Sequence, residues 1–112
     1  MATTYKVLGQ SSPAAATDTA LYTVPAATSA VCSTIVVCNR AANAATFRIA
    51  VRPAGAVLAV QHYLSYDTNI NANDSITITI GITLATTDVV TIRANSASTT
   101  ALSFNLFGSE IT

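Results

Sequence analysis

A chain of 112 residues has room for one domain built around one hydrophobic core. Hydrophobic residues make up 51% and charged residues only 9%, against about 25% charged in ordinary soluble domains, which excludes a disordered chain. Five Lys plus Arg balance five Asp plus Glu, so no net field draws the molecule to nucleic acid or to an anionic membrane.

So few charges leave a surface of neutral Thr, Ser, Asn and Ala. Isolated small domains usually carry more charge of both signs, and the centres of protein interfaces carry less. Part of this surface is therefore expected to lie against neighbouring subunits. The opening Met1-Ala2-Thr3-Thr4-Tyr5-Lys6 lacks a basic region followed by an apolar run. No stretch approaches the 18 or so apolar residues of a spanning helix, so neither a targeting signal nor a membrane partner is expected.

In chain order, TYKVLG at 4–9 reads as a first strand, and residues 9–20, with SSPAAATDT, as a long loop or arm. TALYTV at 19–24 follows. STIVVC at 33–38 is apolar on both parities, the pattern of a strand covered on both faces. ATFRIAVR at 45–52 alternates, with Phe47, Ile49 and Val51 inward against Thr46, Arg48, Ala50 and Arg52. VQHYLSY at 60–66 is a weaker strand. SITITIGI at 75–82 shows the clearest alternation, placing Ile76, Ile78, Ile80 and Ile82 on one face; Gly81 inside it marks a bulge or a close backbone approach. DVVTIRA at 88–94 and LSFNLF at 102–107 complete the set.

Turn clusters PAATS, NRAANA, RPAG, NINAND, LATTD and NSAST separate these runs. The predicted fold is all-β: a single-domain β-sandwich over 1–112, of about eight short antiparallel strands and jelly-roll-like, with a small closed barrel as the other solution. With so little charge, exposed sheet edges are expected to be covered by the 9–20 loop or by other subunits.

Chemical constellations are thin. Asp67, Asn69, Asn71 and Asn73 partly match a calcium loop, but Ala72 stands at the glycine position and Ile78 where a closing glutamate belongs. The segment reads as an Asx-rich turn, and no metal or cofactor is expected. His62, the only histidine, lies near Ser65 and Asp67. On a strand, though, His62 and Ser65 point to opposite faces, and no G-x-S-x-G elbow is present, so no enzyme is expected. Tyr63 and Tyr66 likewise fall on opposite faces, which leaves no ready sugar-stacking platform. Cys32 and Cys38, on one continuous strand, are about 20 Å apart at about 3.3 Å per residue, too far for a disulfide within the chain.

Arg48 and Arg52 share an outward face and suit either solvent or a carboxylate (Asp67, Asp74 or Glu110) across a subunit boundary. Phe107 falls on the outward parity of its strand, where a large aromatic serves best against a partner. The candidate interface residues are thus Tyr5, Val7, Arg48, Arg52, Phe107 and Glu110. They come from the terminal segments Thr3 to Leu8 and Phe107 to Thr112 and from the 45–52 strand.

LYTVPAATSAVCSTIVVCNR at 21–40, TFRIAVRPAG at 46–55, ANDSITITIGITLATTDVV at 72–90 and the terminal LSFNLFGSEIT resemble small virion structural proteins of tailed bacteriophages, particularly of aquatic and cyanobacterial hosts. The resemblance covers most of the chain and supplies no catalytic residues. It implies a place in the virion assembled in the host cytoplasm, most simply as a head decoration (cement) protein bound across junctions of the major capsid protein. Decoration proteins commonly sit at local symmetry axes, which favours a homotrimer. The alternatives it leaves are a tail, baseplate or fibre-associated adaptor and a carbohydrate-binding adhesin.

Overall fold

A computed structural model describes residues 2–95 and 101–112. The expected NSAST turn falls mostly outside the described residues. Eight strands are present among them: β1 (Thr3–Ser11), β2 (Thr19–Thr23), β3 (Ser29–Asn39), β4 (Ala45–Arg52), β5 (Tyr63–Ile70), β6 (Ser75–Leu84), β7 (Val89–Asn95) and β8 (Leu102–Ile111). All pairings between them are antiparallel. They form two four-stranded sheets, sheet A in the order β1-β8-β3-β6 and sheet B in the order β2-β7-β4-β5. Within these orders β1 pairs with β8, β2 with β7, β3 with β6 and β4 with β5. One long antiparallel ribbon has thus been rolled so that successive pairs fall in alternate sheets, the winding of a jelly roll.

The two inner faces meet in one core. Phe47 of sheet B and Phe104 of sheet A touch edge to face, with ring centroids 6.2 Å apart. Around them lie Ile35, Val37, Ile49, Ile70, Ile92 and Leu106, all essentially without solvent access. The alternation read in β4 and β8 is realised. In β6 the isoleucines also face inward but stay half-buried, because β6 is an outermost strand. At the turn end, buried Asn39 holds two connections together. Its Nδ2 donates to the carbonyls of Asn43 (2.8 Å) and Asn71 (3.2 Å), and its Oδ1 accepts from the Ala41 N–H (3.0 Å).

Three expectations are corrected. The 9–20 loop is shorter: residues 9–11 extend β1 and 19–20 begin β2. Only 12–18 link the sheets, and Ala15 of that link bridges to Ala94 of β7. The segment NINAND does not all turn, since β5 runs on to Ile70 and the turn is confined to 71–74. Most telling, β3 is not covered on both faces. Its inward residues are Ala30 and Cys32 in the first half but Ile35 and Val37 in the second, while Val31, Val36 and Cys38 are only half-buried.

The switch of parity is made by a bulge. Between the pairs Cys32–Gly108 and Thr34–Phe107, β3 carries one residue, Ser33, that β8 does not match. An extra residue flips every later side chain to the other face unless the strand bends to absorb it. Neighbouring strands bend at the same level: Leu8 is extra in β1 opposite Leu106 and Phe107, and Ile80 with Gly81 stands opposite Ser33 in β6. Gly81 has φ +53° and open space around it, so it serves the bulge rather than a close approach. Gly108 is the reverse case, because a Cβ there would run into the Val31 carbonyl and crowd Leu8.

Gly108→Ala is therefore expected to cost more than Gly81→Ala in urea unfolding, about 2–3 kcal/mol for overpacking against backbone against about 1 kcal/mol for the left-handed conformation alone. Equal losses would show that the row of bulges is not held by the contact at Gly108.

Candidate functional site

The outer faces of the two sheets differ in chemistry. On sheet B, Arg48 and Arg93 are direct cross-strand neighbours, a like-charge pair that needs compensation. Asp67 supplies it at Arg48, whose Nε donates to Asp67 Oδ1 at 2.6 Å and whose second guanidinium nitrogen reaches Oδ2 at 3.3 Å. Asp18, on the 12–18 link, lies 3.6 Å from Arg93. Asn95 Nδ2 also donates to Asp67 Oδ1, at 2.9 Å. The hydrogen bond from Arg48 holds the Asp67 carboxyl below its ordinary range, and the same bond keeps the guanidinium protonated more firmly still.

The rings of Tyr63 and Tyr66 meet at 84° with centroids 4.8 Å apart, and the Arg48 guanidinium lies over the Tyr66 ring at 4.1 Å. The expectation that these tyrosines point to opposite faces is corrected. Two bulges in β5, one at Leu64 and one at Tyr66 with Asp67, shift the alternation so that both rings emerge on the outer side. Asp67 takes φ +50° to make the second, and Ser65 and Thr68 bond to each other on the inner side. The rings, with Asp18, Leu58, Ala59 and Val60, line an open pocket of about 580 Å³. Arg52 is occupied elsewhere: its Nε donates to Thr91 Oγ1 at 2.9 Å, and Ala50 and Thr91 are buried although they face outward. The 53–62 connection lies against β4 and β7 there.

Among the described residues, strand register points no ionised side chain out from the outer face of sheet A, though Lys6 borders its depression. Register places Tyr5, Val7, Val31, Val36, Asn105, Phe107 and Ser109 on it, with the threonines of β6 at its margin. Arg40 reaches its end, donating to Ser103 Oγ at 2.9 Å and to Ser12 Oγ at 2.8 Å. Tyr5 is 85% and Val7 45% exposed. Tyr5, Val31, Ser33, Phe107 and Ser109 surround a depression of about 490 Å³, with Lys6 at its rim and Gly108 at its floor. The terminal segments singled out in the sequence thus form one patch, because β1 pairs with β8 and Val7 stands directly beside Phe107. Val31 joins them unannounced, paired with Ser109, since only the bulge at Ser33 brings that half of β3 into register.

Glu110 does not belong to this patch. It faces between the sheets, where the Tyr22 hydroxyl donates to Oε2 at 2.6 Å and Lys6 Nζ lies 3.2 Å from Oε1. The bond from Tyr22, then the one from Lys6, holds the Glu110 carboxyl below its ordinary value, while burial and the same carboxylate push the Tyr22 phenol up. His62 caps a short turn, its Nδ1 accepting the Ala59 N–H at 3.0 Å. The partial calcium motif is spent on local bonds: Asp67 on Arg48 and Asn95, Asn69 on Asn71. Both cysteines are free thiols. Cys32 lies in the core, where burial raises its pKa to about 11, and Cys38 lies on the outer face of sheet A.

Fold and surfaces together define an eight-stranded jelly-roll β-sandwich with one charge-free and one charge-laced outer face. No family model matches the chain, and no curated protein does. Among solved structures, a chain in the structure of infectious bursal disease virus Gx strain aligns with TM-score 0.41 and 10% identity, covering 96% of this chain and 28% of that one. This chain therefore spans under a third of that neighbour's length.

The Glu110 contacts set an acid limit on stability. A carboxyl held below its unfolded value contributes fully above that value, about 4.3, and the contribution fades as pH falls through the lower folded value. Urea midpoints of the wild type should fall from about pH 4.5 downward. Glu110→Gln should start lower at pH 7 and fall less steeply, with Asp67 sustaining part of the slope. Parallel pH profiles for the two proteins would remove Glu110 from this role.

Proposed function

We propose that this protein is a non-enzymatic structural subunit of a tailed-phage virion, a head decoration protein that lays the outer face of sheet A across junctions of the major capsid protein. The observation that carries this reading is the charge-free face itself. Of ten ionised side chains, only Lys6 at the rim and Arg40 at one end come near it, while Tyr5, Val7, Val31 and Phe107 gather on it. Depletion of charge with aromatic and aliphatic anchors is the composition of an interface centre. The family resemblance of the sequence supplies the partner, and a homotrimer places the same patch around a local axis.

The mechanism is mechanical. A specific contact of standard size buries about 1,600 Å² in total, and packaged DNA must break such contacts before the shell can open. Repetition over a lattice multiplies modest affinities into firm attachment. A face without charge also makes that attachment insensitive to salt, since there are no ion pairs across it to screen.

Quantitative mass spectrometry of separated heads and tails tests the proposal. A decoration protein co-purifies with heads at a copy number comparable with the major capsid protein; recovery with tails, in small multiples of the tail symmetry, would instead make it an adaptor. Phe107→Ser is expected to leave the thermal melt nearly unchanged and to weaken rebinding to stripped heads by at least about tenfold. Undiminished binding would refute the assignment of this face.

The Tyr63–Tyr66 corner favours one other reading, a carbohydrate-binding adhesin, because its rings border an open pocket that the Asp18 carboxylate also lines. A glycan array probed with the purified protein separates the two: retention of a defined oligosaccharide, abolished by Tyr63→Ala, supports the adhesin.

A further inference from the structure

Each sheet has two outermost strands, and an unpaired strand edge invites another strand unless it is short, bulged, charged or covered. All four are bulged, and three carry a further guard of charge or shortness. β1 has Lys6 and the bulge at Leu8. β2 is five residues long with its own irregularity at Leu21. β5 has two bulges and Asp67. β6 is the long edge without charge: it bulges at Ile80 and Gly81, but Ser75 to Thr79 before the bulge pair with β3 without interruption. Its ten residues, SITITIGITL, contain neither charge nor proline. The 12–18 link cannot cover it, because that link joins β1 to β2 and bridges to β7 in the other sheet.

We infer that β6 pairs with β6 of a second copy of this chain, antiparallel about a two-fold axis, joining two A sheets into one of eight strands. The strand is its own complement. Keeping the two inner faces on the same side requires Thr opposite Thr and Ile opposite Ile, as when Ile78 meets its counterpart and Thr77 meets Thr79. Both kinds of pair are favourable across strands, and no like charges oppose each other. The half-exposed flanks of Ile76 and Ile78 become covered, and the charge-free outer face runs on unbroken from one copy to the next. This contact is separate from the Phe107 patch, which lies across the sheet on β8, so it stands whether or not that patch binds a capsid.

The test compares molar mass by light scattering and amide hydrogen exchange for the wild type, Thr77→Lys/Thr79→Lys and Phe107→Ser. Both threonines are exposed, so the lysine variant keeps the fold, checked by circular dichroism, while placing like charges across the axis. The expected result is that the lysine variant halves the mass of the wild-type assembly. Phe107→Ser should retain at least a dimer, twice 11.5 kDa. Amides of 75–80 should gain protection with wild-type concentration but not in the lysine variant. A wild-type mass unchanged by the lysines, with concentration-independent exchange at 75–80, overturns the inference. Recovery of the β6 dimer from a protein absent from heads would instead defeat the decoration reading alone.

Discussion

The structure depends on a row of inserted residues crossing sheet A at one level: Leu8 in β1, Ser33 in β3, and Ile80 with Gly81 in β6. Strand alternation has a period of two, so β3 can turn Ala30 and Cys32 of its first half and Ile35 and Val37 of its second to the same inner face only by changing parity once. β3 does so at Ser33, and its neighbours must follow or the ladder would break. Gly108 makes the crossing possible because the bulged backbone of β3 occupies the space where a Cβ would stand. Beyond this level the sheet presents a second set of residues outward, and these build the Tyr5–Phe107 patch.

Charge is divided with similar economy. Sheet B has cross-strand arginines compensated by Asp67 and Asp18 and capped by two tyrosines, a face able to remain in water. Lys6 and Glu110 close the open end of the sandwich against Tyr22. Asp88 accepts the Ala54 and Ala85 N–H groups (2.8 and 2.9 Å), tying together two connections at one end. The ionised groups thus have local tasks in sheet B, in the turns, or between the sheets at Lys6 and Glu110. The outer face of sheet A is left neutral, and an apolar face rimmed by polar residues is the usual mark of a binding surface.

Reading periodicity alone recovers the elements whose alternation is regular. ATFRIAVR is β4 to the residue, and the inward isoleucines of β6 and the inward Leu102, Phe104 and Leu106 of β8 follow from period two. The same rule fails where a bulge intervenes, at β3 and at Tyr63 and Tyr66, because a bulge is fixed by what the neighbouring strands do and leaves little local trace. Gly81 is the exception, visible as a lone glycine in a strong strand. The candidate interface residues divide accordingly. Tyr5, Val7 and Phe107 each face outward as local parity indicates, and β1–β8 pairing brings them together, whereas Glu110 turns inward to Tyr22, and Arg48 and Arg52 find partners in their own sheet.

Composition and pattern by themselves determined an all-β chain of about eight strands, one core, and few charges to place on its surface. Those properties are sums and short-range periods, and they survive without knowledge of which strand lies beside which. Tertiary structure decided the rolled strand order, the row of bulges, the pairing of the two terminal strands into one neutral patch and the isolation of β6 at an edge. Each of these depends on backbone groups far apart in the chain meeting in register, and no window of neighbouring residues contains that information.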